Sequence, residues 1–145
     1  MATTCDKEGI RQAYESVRDD KTEVNWAVFK YDGNKIEVAN TGVDYQEFLS
    51  HFDDNERLFG YLRMYTGDEL SKRAKFAFIT WIGQGVGAIK RAKVSIDKAI
   101  IKEVITSFAI EFAASDLGDL EEQQIRDLMI KAGGANYGNG TSKIN

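Results

Sequence analysis

The first apolar pattern in the chain is Ile10, Ala13, Tyr14 and Val17. The spacing i, i+3, i+4, i+7 lays one stripe along a helix, which predicts a helix over 6–18. The period then switches. VNWAVFKY (24–31) and KIEVA (35–39) are rich in β-branched and aromatic residues and flank Asp32-Gly33-Asn34, which tolerates positive φ, so the pair predicts a β-hairpin. Asp44 opens DYQE, an Asp-x-x-Glu pattern that satisfies the orphan N–H groups of a helix start, and Tyr45, Phe48, Leu49 and Phe52 supply the stripe of a short second helix.

RLFGYLRMY (57–65) and KFAFITWI (75–82) read as strands. In the second, Phe76, Phe78, Thr80 and Ile82 alternate with Ala77, Ile79 and Trp81. Both faces are apolar, which marks a central strand covered by helices on each side. After Gly83 and Gly85 the spacing predicts a long helix over about 86–106. Its expected buried stripe is Ile89, Ala92, Ile96, Ala99, Ile100 and Val104, which leaves its bases exposed. FAIEFAA (108–114) predicts a last strand. Asp119 and Glu122 repeat the helix-start pattern for a final helix through Ile125, Leu128, Met129 and Ala132, with Gly133-Gly134 as its stop. ANYGNGTSKIN has no periodicity and is expected to be flexible. The order α-β-β-α-β-β-α-β-α gives an α/β (α+β) class, a mixed sheet sandwiched between helices.

At 145 residues the chain fits one domain, since domains usually hold about 100–200. It is expected to span 1–132, with a flexible C-terminal tail over 133–145. Hydrophobic residues make up 43% and aromatic residues 11%, enough for a core of two or three layers. The amino end lacks a basic-then-apolar signal pattern, and no window approaches the ~18 consecutive apolar residues of a membrane span. One cysteine, Cys5, and one histidine, His51, exclude an internal disulfide and a Cys/His zinc site. The expectation is a reduced, cytoplasmic protein that is monomeric and holds no metal or cofactor.

Charge changes this picture. The net charge is −4, yet residues 72–102 carry Lys72, Arg73, Lys75, Lys90, Arg91, Lys93, Lys98 and Lys102 against the single acid Asp97. The rest of the chain holds eleven bases and twenty-two acids. A run of cations is ordinarily the solvated side of a helix, and a lysine beside a strand is ordinarily an edge gatekeeper. Segregation over this length instead points to an acidic partner steered to one face.

Catalytic chemistry finds little support. His51 lies at a helix end, where it is ordinarily structural, and Cys5 lacks the cationic setting that activates a thiol. Gly83, Gly85 and Gly87 miss both the Gly-Lys-Ser/Thr ending and the dinucleotide spacing, so a tight strand-to-helix turn explains them. Phe76, Phe78 and Trp81 are assigned to the core, which leaves the basic patch without stacking platforms for nucleic acid. No residue is assigned a catalytic role, and no nucleic-acid partner is expected.

KYDGNKI (30–36), RLFGYLRMYTGDELSKRAKFAFITWIG (57–83), KEV (102–104) and KAGGANY (131–137) resemble coactosin-like proteins of the actin-depolymerising-factor homology (ADF/cofilin) family. The similarity covers essentially the whole chain. It implies an ADF-homology fold with a five- to six-stranded mixed sheet, and binding to filamentous actin without catalysis. It further implies that the basic loop before the central strand supplies Lys72, Arg73 and above all Lys75, and that the long helix supplies Arg91, Lys98 and Lys102. Cofilins lead into that helix with Trp-x-Pro and carry a second lysine two residues before the position of Arg91. This chain has Trp81-Ile82-Gly83 and Ile89 there, which implies filament decoration with little monomer binding or severing. Two further partners are expectations: anionic phosphoinositides on the same basic face, and another protein through the C-terminal helix near Lys131.

Overall fold

The computed structural model of the chain describes residues 2–67, 70 and 72–139, the last seven by backbone alone. Strand β1 (Thr4–Cys5) leads into α1 (Lys7–Arg18), whose start is capped by the Asp6 carboxylate accepting from Gly9 N–H at 3.2 Å. Strands β2 (Trp26–Asp32) and β3 (Lys35–Gly42) form the expected hairpin, and Gly33 at φ 65 supplies the left-handed turn residue. Asp44 accepts from Glu47 N–H to start α2 (Tyr45–Leu49). Then follow β4 (Arg57–Thr66), β5 (Arg73–Ile82), α3 (Ala88–Ile101), β6 (Ile110–Ala114), a 3₁₀ turn over Leu117–Leu120, and α4 (Glu122–Asn139).

The six strands form one mixed sheet in the order β1-β3-β2-β4-β5-β6. Its centre is antiparallel, and both outer pairs, β1 with β3 and β5 with β6, are parallel. A parallel neighbour requires a crossover, and α3 is that crossover between β5 and β6. Strand β1 is only two residues long and carries no readable pattern.

The alternation in β5 sorts as predicted. Ala77, Ile79 and Trp81 pack with Phe48 of α2, with Phe52 just after it, and with Ile125 and Met129 of α4. Phe78, with Phe76 and Ile82 beside it, packs against Ile10, Ala13 and Val17 of α1 and Val94 and Ile101 of α3. Each indole N–H meets a backbone carbonyl, Trp26 on Asp44 at 2.9 Å and Trp81 on Asp53 at 2.8 Å. Buried tryptophan is thereby satisfied while it fixes the α2 segment to the sheet.

Three expectations need correction. First, α3 buries Val94, Asp97 and Ile101 while most of the expected stripe is open: Ile89 is 82% and Ile96 71% exposed, Ala92 and Ala99 face solvent with them, Ile100 is half-buried, and only Val104, just after the helix, is buried as expected. The helix carries two apolar rows, and the row broken by Asp97 is the one that packs, because Tyr31 satisfies that carboxylate. Second, Asp119 does not open α4. It lies in the 3₁₀ turn and accepts from Ser115 N–H, and α4 begins at Glu122. Third, α4 runs through Gly133-Gly134 to Asn139. Glycine inside a helix costs only about 1 kcal/mol relative to alanine, and it stops one only where the backbone turns left-handed. Residues 140–145 of the expected tail lie outside the described residues.

Candidate functional site

The basic residues singled out by sequence are held by two rigid elements. Arg73 and Lys75 belong to β5 itself rather than to the loop before it, and Lys72 immediately precedes the strand. Strand alternation places Arg73 and Lys75 on the face of Ala77 and Ile79, and Lys75 pairs across the ladder with Met64 of that same core cluster. Lys72 and Arg73 are exposed and Lys75 is half-buried. None of the three is in an ion pair among the described residues.

The other three lie over the opposite face of the sheet, Arg91 and Lys98 on α3 and Lys102 at its C-cap. Arg91, Lys98 and Lys102, spaced i, i+7, i+11, share one flank of the helix axis. Arg91 donates to the carbonyls of Gly83 at 3.3 Å and Val86 at 3.1 Å, which closes the turn from β5 into α3. Lys98 and Lys102 converge on Glu111 of β6, at 3.2 and 2.7 Å. Burial alone would raise the Glu111 carboxyl, but hydrogen bonds from Lys102 and Lys98 outweigh it and hold the group below its ordinary range.

The six bases therefore do not lie on one flat plate. Arg73 and Lys75 belong to one face of the sheet, and the α3 bases belong to the other. The segment after α3 links the two groups. It returns to the sheet where Ala109 N–H donates to the Phe76 carbonyl at 2.8 Å, one residue from Lys75. Both sets thus approach the β5–β6 side of the sheet.

Residues that the sequence reading assigned to the core turn out to complete the surface. Ile89, Ala92, Ile96 and Ala99 form an apolar row on the solvent side of α3, between the flank of Arg91, Lys98 and Lys102 and Lys93 on the other side, whereas Lys90 continues the packed row of Val94, Asp97 and Ile101 at the helix start. An apolar strip rimmed by charge is the usual anatomy of a protein-binding patch. The discriminating signal was the helical position of Asp97, three residues after Val94 and four before Ile101 and so on their row, once its partner Tyr31 is known.

Gly83 and Gly85 are explained by packing. Their N–H groups donate to the Glu56 and Asp54 carbonyls, at 2.9 and 2.7 Å, and a side chain at Gly83 would run into the Asp53–Asp54 backbone. His51 lies beside the Trp26 ring and within 3.5 Å of the Asn40 amide. Cys5 is half-buried, and burial raises its thiol. Among the described residues no group of three or more His, Cys, Asp or Glu side chains is placed to hold a metal ion, and no helix is long and apolar enough to cross a membrane. Lys131 is exposed on α4.

A mixed sheet between two layers of helices, with a basic, apolar-centred crossover helix, defines a protein-binding module. The chain belongs to the cofilin/tropomyosin-type actin-binding protein family, which matches residues 2–129. Rat coactosin-like protein is 53% identical over 137 residues, covering 94% of this chain and 96% of the rat protein. A crystal structure of human coactosin-like protein superposes with a TM-score of 0.87 at 48% identity, covering 90% of this chain and 99% of the human one. The solution structure of mouse coactosin, described as an actin filament binding protein, gives 0.79 at 50% identity over 98% of this chain and 100% of the mouse one.

Proposed function

We propose that the chain binds actin filaments through the solvent side of α3 and the basic start of β5, and that it does so without a chemical step. The observation that carries this reading is the exposed row of Ile89 and Ile96, flanked by Arg91, Lys98 and Lys102 on one side and by Lys93 on the other. Large apolar side chains held open to solvent on a rigid helix bury surface only when a partner arrives. Lys75, Lys72 and Arg73 add cations that no acid of the described chain neutralises, and Arg91, Lys98 and Lys102 line the helix. Family membership and the filament-binding mouse relative supply the identity of the partner. A place in the cytoplasmic actin cytoskeleton follows from the same reading.

Each exposed ion pair contributes about 0.2–1 kcal/mol, so the bases steer and orient while the apolar row contributes burial. The glycine at position 83 and the isoleucine at position 89 remove the rigid entry and the extra cation with which cofilins engage monomers. The expected activity is decoration of filaments rather than their disassembly. Cosedimentation with polymerised actin tests it: wild type pellets with filaments and Ile96→Ala and Lys75→Ala pellet less. Pelleting unchanged in both variants would remove this surface from the reading.

A further inference from the structure

Of the six bases assigned to the filament surface, only Lys98 and Lys102 already have an acidic partner among the described residues. Glu111 is the sole acid of β6, and alternation along that strand turns it away from Ile110 and Phe112, which pack on the α4 side. It therefore points toward α3. Its two carboxylate oxygens are divided between the two ammonium groups, Oε1 to Lys102 at 2.7 Å and Oε2 to Lys98 at 3.2 Å. The carboxylate is 24% exposed and the lysines 38% and 35%, so this bridge is neither buried in the core nor fully screened by water.

The geometry is that of a carboxylate presented to two lysines one helical turn apart, which is also the arrangement an acidic partner would have to offer. We propose that Glu111 acts as an internal competitor: it occupies Lys98 and Lys102, and an acidic partner docking on α3 must displace it. This rests on the reading that α3 meets an acidic filament surface.

Physical consequences follow from the balance of charges. With Glu111 in place the lower half of the α3 flank presents two lysines and one acid, a net of one positive charge. Removing the acid doubles that charge without adding a base. The lysines sit in and just after the last turn of α3, where the helix dipole favours cations, so the helix end tolerates the loss of their partner. Glutamine keeps the shape of the side chain and accepts a hydrogen bond from either ammonium group. The wild-type arrangement therefore sets filament affinity below the maximum the bases allow, and keeps the surface from sticking to other polyanions.

The test is Glu111→Gln in filament cosedimentation at low and at physiological ionic strength, with the thermal melt recorded for each variant. The expected result is tighter binding, an apparent Kd at least about threefold lower at low salt, with the gain shrinking as salt screens the freed charges. In a background of Lys98→Ala with Lys102→Ala the Glu111→Gln gain is expected to vanish. Binding that is unchanged or weaker in Glu111→Gln, with an unchanged melt, overturns the proposal; weaker binding would make Glu111 a holder that presents the lysines. A gain that persists without the two lysines overturns it as well. Wild-type protein that fails to pellet with filaments sinks the filament reading and the competitor with it, whereas pelleting wild type with an indifferent Glu111→Gln sinks only the competitor.

Discussion

The Tyr31 hydroxyl donates to Asp97 Oδ2 at 2.6 Å, across the gap between β2 and α3. Asp97 is 2% exposed, and the Arg57 guanidinium lies 3.7 Å above the Tyr31 ring centre. Burial, reinforced by the carboxylate, pushes the phenol well above its ordinary range, so it remains a donor at neutral pH. Tyr31→Phe keeps the ring and leaves the carboxylate without that donor. A buried acceptor that loses its partner costs about 1–3 kcal/mol, more for a charged group. Urea unfolding of Tyr31→Phe is expected to show that loss as a lower midpoint with an unchanged m-value. Combining it with Asp97→Leu should cost less than the sum of the two single variants, because the residues act as a unit; strict additivity would mean the bond contributes nothing.

The two apolar rows of α3 separate stability from binding. Ile101 is fully buried in the α1 and α3 layer, and Ile101→Ala is expected to cost about 2–5 kcal/mol. Ile96 is 71% exposed, so Ile96→Ala is expected to stay within about 0.5 kcal/mol of wild type while weakening filament pelleting. A melt for each variant beside its cosedimentation curve checks the pair. An Ile96→Ala protein that melts like wild type and pellets like wild type would show that this row is not a contact surface.

Those same residues show where the sequence was legible. The sheet was readable because β5 writes its burial in a period of two, and Phe78 and Ile79 went to opposite layers as that period demands. The hairpin and the α2 start were readable from Gly33 and Asp44, whose chemistry is local. The buried side of α3 was not, because Ile89 and Ile96 look like core while Asp97 looks like surface. What reverses them is Tyr31, 66 positions away, and no local pattern reports a partner at that distance. The lysines were legible as cations, but the carboxylate that holds two of them comes from β6 and entered only with the fold. Arg91 was expected as a contact residue, and the two carbonyls that also hold it were likewise beyond local reading.

Lys75 differs from Lys98 in having no acid beside it among the described residues. An exposed pair contributes about 0.2–1 kcal/mol, so Lys75→Ala is expected to raise the apparent Kd for filaments about 1.4- to 5-fold. Lys75→Glu should raise it further, since a repulsion replaces an attraction. Both effects should shrink between about 50 and about 150 mM salt, where the Debye length shortens toward the spacing of surface pairs. Cosedimentation at the two salt concentrations measures this, and a loss that is independent of salt would mean that Lys75 acts by packing through its stem.

His51 and Glu111 make the fold acid-sensitive in separate windows. Burial lowers the His51 pKa first and the Lys30 charge second, with Glu47 and Glu56 partly opposing them. The folded ring therefore takes up its proton at a lower pH than the unfolded ring, which titrates near about 6.5. Where only the unfolded chain binds that proton, stability rises with pH. The histidine contribution is thus present above that value, falls as the pH drops through it, and levels off once the folded ring is also protonated. For Glu111 the folded pKa is depressed, so its contribution is complete above the unfolded value of about 4.3 and is lost only as pH falls through the folded one. Unfolding free energies measured between about pH 7 and about pH 5.5 should slope downward toward acid in wild type, and less so in His51→Gln, with the Glu111→Gln slope in that window matching wild type. An unchanged slope in His51→Gln would place the acid sensitivity elsewhere.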